Sequence, residues 1–147
     1  MASKFVAATP LHADYPLPDL DDPVMRPVWD GCRDGRLMVQ RDRVTGALHW
    51  PPKPLYWKDG RRLEWLEHDG RGVIYSYVVG SEPFLPAFAG LLPHIMVVVE
   101  LTHGAGRARL VGHMVNCTPA QMRFEMPVQV VYKRLTDAVT LPIWEPA

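Results

Sequence analysis

The chain has 147 residues, 16 Lys and Arg against 16 Asp and Glu, and a 48% apolar fraction. That length suits one domain, or a small module joined to a modest one, and the apolar fraction is that of a globular protein. The balanced charge supplies no cationic face, which argues against nucleic-acid binding driven by counterion release.

Residues 1–22 are rich in proline and aspartate and are expected to form an extended arm. Phe5, Leu11, Tyr15 and Leu17 are its apolar members, able to lie along the domain or along a partner. Asp22-Pro23 predicts a helix start, with aspartate as N-cap and proline at the first helical position. Met25, Val28, Trp29 and Cys32 follow as one apolar stripe, and Gly35 closes the helix.

Strands are expected next. Leu37–Gln40 and Ala47–Trp50 flank the turn RDRVTG, and Leu63–His68 and Val73–Val79 flank DGRG. Ile95–Thr102 and Ala108–Val115 flank HGAGR, Thr118-Pro119 can open a short helix, and Pro127–Leu135 and Val139–Ile143 complete the list. Short strands between glycine turns predict an antiparallel, mainly β fold, and the tally after residue 62 suits a five-stranded OB-type barrel. The fold read from these elements is an arm over 1–22, a helix plus ribbon module over 23–62, and a barrel over 63–147.

The stretch QRDRVTGALHWPPKPLYWKDG, residues 40–60, has the layout of a paired metal knuckle, with two tight turns that end in glycine around a proline run. Together with LEWLEHDGRGVIYSYVV, PAFAGLLPHIMVVVEL and the closing LPIWEP, it makes the chain resemble the family that joins a rubredoxin-like zinc ribbon to an OB-fold (domain of unknown function 35). The resemblance covers most of the sequence after the arm. In that family each knuckle carries a C-x-x-C pair. Here the matching positions are Asp42 and Thr45, then Tyr56 and Asp59. A structural zinc site needs four ligands of the thiolate or imidazole kind. The expectation is therefore a degenerate ribbon without metal. Asp42 and Thr45 would cap their turn through side-chain hydrogen bonds, while Trp50, Tyr56 and Trp57 would form a small aromatic core in the metal's place.

Candidate catalytic groups are sparse. Ser76 lies mid-strand outside any G-x-S-x-G elbow, and no two of the six histidines share a metal-binding spacing. His113 is expected to be a core or interface histidine, and Glu100 to pair with Arg107 or Arg109. Glu64 and Glu67 fall on opposite faces of one strand. No catalytic residue and no bound cofactor is assigned.

The loop SEPFLPAFAGLLP, residues 81–93, concentrates large apolar groups. Its Phe84, Phe88, Leu91 and Leu92, with His94 just beyond, are the candidate partner- or ligand-binding residues. The family resemblance implies an accessory subunit of acyl-CoA metabolism that binds a thiolase, acyltransferase or retro-aldol lyase, or a hot-dog hydratase. Acyl-CoA is then a possible ligand. Two widely separated cysteines, Cys32 and Cys117, suit free thiols in a reducing compartment, so the location is expected to be cytoplasmic. The N-terminus lacks an apolar run of signal-peptide length, and Ile95–Val99 is too short to cross a bilayer. The alternatives are a free-standing OB module that stacks single-stranded nucleic acid on Tyr75 and Tyr77, and an enzyme in its own right.

Overall fold

The computed structural model describes residues 4–57 and 61–147. In chain order the elements are β1 (Phe5–Val6), α1 (Arg26–Arg33), β2 (Leu37–Asp42), β3 (Leu48–His49), β4 (Tyr56–Trp57), β5 (Arg61–His68), β6 (Arg71–Gly80), β7 (His94–Leu101), β8 (Arg109–His113), β9 (Pro127–Arg134) and β10 (Thr140–Pro146). Short 3-10 segments span Pro86–Leu91 and Pro119–Gln121.

Strands β6, β7 and β8 form an antiparallel meander, with β9 beside β6 and β10 beside β9. The circuit returns to β8 at its far end, where Val115 N donates to Trp144 O (2.8 Å) and Met114 bridges to Trp144. Those five strands make the expected OB barrel. Alternation drives it: Ile95, Val97, Val99 and Leu101 of β7 all turn inward, while Met96 between them is exposed. Gly112 lets the seam close, because a Cβ there would stand 2.8 Å from the Trp144 ring.

The second sheet has the order β3-β2-β5-β4. Residues 63–68, expected as a barrel strand, are instead paired with β2 from Asp42↔Leu63 to Leu37↔His68. The barrel's fifth strand is β10. The reason is local: the β5–β6 turn at Asp69-Gly70 (Gly70 φ +76°) lets the chain leave one sheet and enter the other. Both sheets share one core, in which Val28 and Cys32 of α1 and Leu37 and Val39 of β2 join Val97, Val99, Val128, Tyr132 and Trp144.

The helix begins later than expected. Asp22 Oδ1 accepts from Val24 N (2.9 Å), and Asp22 O accepts from Arg26 N (2.9 Å), so Asp22-Pro23 opens a leading turn and α1 starts at Arg26. Its C-terminus follows expectation. Gly35 sits at φ +69°, and Arg36 N donates to Gly31 O while Gly35 N donates to Cys32 O, a Schellman closure. The arm is extended and lies on the domain: β1 adds a parallel strand to β9, and Phe5 packs on Tyr132.

Candidate functional site

The first knuckle is built around Asp42. Its carboxylate Oδ1 accepts from Val44 N (2.8 Å) and Thr45 N (3.0 Å), its own carbonyl accepts from Gly46 N, and Gly46 takes φ +73°. Thr45 Oγ1 accepts from Ala47 N (3.3 Å). Both side chains are thus committed to the turn, as the sequence suggested. Tyr56 is the departure. It is 63% exposed, its hydroxyl accepts from Arg62 Nε (2.9 Å), and that guanidinium lies over its ring. Among the described residues its ring meets no other aromatic ring. Asp59 and the Trp57 side chain lie outside the described residues.

The ribbon is tied together by Gln40, which is 0% exposed. Its amide donates to Lys53 O (2.7 Å) and accepts from Lys53 N (2.8 Å), tying β2 to the proline run. Zinc does not fit this module. The carboxylate at 42 is spent on backbone amides, the phenol at 56 faces outward, and no cluster of three His, Cys, Asp or Glu among the described residues could hold a metal.

The apolar loop splits in two. Phe84 is 93% exposed and Leu85 is also exposed. Phe88, Leu91 and Leu92 are half-buried, and the 3-10 segment turns Phe88 back onto the domain. There four rings stack edge to face. Tyr15 and Phe88 are 5.3 Å apart, Phe88 and His94 5.7 Å, and His94 and His113 4.7 Å. Beside this run a groove of about 580 Å³ opens between the arm, the 3-10 segment and β9, lined by Leu11, Tyr15, Leu91, Lys133 and Leu135 among others. A narrower cleft of about 100 Å³ continues inward to His94, His113 and Ile143. Burial, then the neighbouring His94 and Lys133, hold the His113 imidazole below its ordinary pKa.

Sequence reasoning reached His94 and the loop but missed Lys133, Tyr15 and His113 as members of one groove. The available signal was the apolar content of the arm, which needs somewhere to lie.

The remaining candidates separate. Glu100 pairs with Arg109 (2.8 Å), as expected, and the Arg109 guanidinium covers Tyr75 at 3.5 Å. A β-bulge between Ile74 and Ser76 shifts the alternation, so Tyr75 faces out while Tyr77 pairs in register with buried Val97 and packs on Phe124. The two tyrosines therefore do not form the shared stacking face expected of them. Among the described residues no hydrogen bond joins a serine, threonine or cysteine to a histidine, and Cys117 Sγ instead faces Met122 Sδ (3.6 Å). No helix among the described residues is long and apolar enough to cross a membrane.

A ribbon-like sheet without the knuckle cysteines, feeding a five-stranded barrel, defines a ribbon–OB-fold protein. Comparison with known families gives the same result from sequence: residues 29–55 match the ChsH2 rubredoxin-like zinc ribbon domain, and residues 65–133 match the ChsH2 C-terminal OB-fold domain. The chain belongs to this zinc-ribbon/OB-fold (DUF35) family, with the ribbon cysteines lost. It is 33% identical over 138 residues to the 3-oxo-4,17-pregnadiene-20-carboxyl-CoA hydratase alpha subunit of Mycobacterium tuberculosis, covering 87% of this chain but 42% of that one. It is 28% identical over 104 residues to a DUF35 domain-containing scaffold protein of Methanocaldococcus jannaschii, covering 69% and 70% of the two chains. Among solved structures it matches a chain of the Ltp2-ChsH2(DUF35) aldolase with TM-score 0.74 and 29% identity, over 88% of this chain and 98% of that one.

Proposed function

We propose that the chain is a non-catalytic accessory subunit that docks onto an enzyme acting on acyl-CoA thioesters and helps to form its acyl-binding site. The partner is of the thiolase superfamily or a hot-dog hydratase. One observation carries the reading: nearly the whole chain is similar to a chain of a two-protein aldolase, while its own described residues present no activated nucleophile. Relatives named as a hydratase alpha subunit and as a scaffold protein support it. Phe84 and Leu85, exposed at the head of the loop, give the docking surface an apolar anchor. Acyl-CoA is a ligand of the assembly, and a cytoplasmic location accords with two free cysteines.

The test is co-expression with a thiolase-like or hydratase-like protein of the same organism. The two should elute as one complex that turns over an acyl-CoA thioester, while this chain alone is inactive. Thioester turnover by the single chain would refute the reading.

A further inference from the structure

The groove under the arm is mostly apolar, with Thr9, His12 and Lys133 as its polar members. Its outer part is lined by Leu11, Tyr15, Leu91 and Leu135, and no Asp or Glu lines either it or the inner cleft. Lys133 lines both, makes no ion pair among the described residues, and is only half exposed. Lys133 brings a cationic side chain to a largely apolar lining that offers it no carboxylate, so an anion bound there would complete the site. A neutral lipid would supply no such charge. A polyphosphate would call for several cations, and this groove holds one lysine beside imidazoles. A volume of about 580 Å³ is of the size that takes a small ligand.

We propose that this groove binds a free hydrophobic carboxylic acid as its anion. The carboxylate sits on Lys133 and the hydrocarbon lies along Leu11, Tyr15, Leu91 and Leu135. The inner imidazole pair, His94 and His113, supplies hydrogen-bond donors to the same head. The inference rests on the functional reading above for its ligand chemistry, because acyl-CoA metabolism handles such acids. The site itself belongs to this chain, and binding does not require the partner.

Titration of the purified full chain with decanoate, decanol and coenzyme A, followed by calorimetry below the micellar range, tests it. Decanoate should bind saturably at one per chain. Lys133→Met should weaken it at least tenfold, and Lys133→Arg should restore it to within about threefold. Decanol should bind more weakly than decanoate, and equally to wild type and Lys133→Met. Equal decanoate affinity for wild type and Lys133→Met, decanol binding as tight as decanoate, coenzyme A binding as tight as decanoate, or no binding at all would each overturn the proposal. Thermal melting and elution with the partner enzyme, run on wild type and on Lys133→Met, separate the two readings. A wild type that binds decanoate but forms no complex sinks the accessory-subunit reading alone, and a wild type that forms the complex but binds no decanoate sinks the groove proposal alone.

Discussion

The Gln40 side-chain amide makes two hydrogen bonds to the Lys53 backbone, donating at 2.7 Å and accepting at 2.8 Å, from a position with 0% exposure. It ties β2 to the proline run between the two turns. Gln40→Leu keeps the volume but strands the Lys53 amide and carbonyl. Leaving a buried polar group unmet costs about 1–3 kcal/mol, so urea melts should show a loss of at least ~1 kcal/mol. A neutral result would mean the ribbon is held by the sheet alone.

Asp42 has a smaller share. Asp42→Ala removes two hydrogen bonds to the turn amides and should cost about 0.5–2 kcal/mol, as loss of a cap does. Purified protein should carry no stoichiometric zinc, and a chelator should leave its melting unchanged, because ligation energy is absent from its folding. One zinc per chain by elemental analysis would contradict this.

The two thiols should differ sharply. Burial pushes the Cys32 thiol up to about 12, and the residue is 0% exposed inside α1. Cys117 is half-buried at the surface end of a loop. Alkylation of the native protein should label Cys117 and leave Cys32 untouched until the chain unfolds, because only an accessible thiolate reacts. Labelling of Cys32 at native pH as fast as Cys117 would show that the α1 packing opens.

His113 gives a pH signature. Its folded pKa is held below the ordinary 6.5, first by burial, then by His94 and Lys133. The unfolded chain therefore takes up the proton before the folded chain does. The stability present above 6.5 is lost as pH falls from there toward the depressed folded value. His113→Gln should flatten the stability–pH slope in that window. Some slope should remain, because burial also lowers His49. An unchanged slope would place the His113 ring in water.

Much of this was legible in the sequence, and the failures have physical causes. β7 was readable because Ile95–Val99 is an apolar run rich in β-branched residues, and Asp42 because an aspartate two and three residues before free amides is a local device. The register of β5 was not, since its hydrogen bonds run to β2, more than twenty residues earlier in the chain. The faces of Tyr75 and Tyr77 were lost to a single-residue bulge, which inverts every side chain beyond it. Gln40 was invisible as a cross-link because its partner is backbone, which carries no residue signature. The groove is assembled from the arm, the loop and β9; the arm and the loop advertised apolar surface, but nothing in the sequence showed that they meet at β9.

The accessory-subunit account turns most directly on Phe84. At 93% exposure it touches little of its own chain, so Phe84→Asp should leave the fold and melting temperature intact. As a central anchor buried by a partner it would contribute about 2–3 kcal/mol. The measurement is the dissociation constant of the co-purifying acyl-CoA enzyme for wild type and for Phe84→Asp. The account predicts at least a thirtyfold loss of affinity with an unchanged circular dichroism spectrum. Equal affinity for both proteins would contradict it.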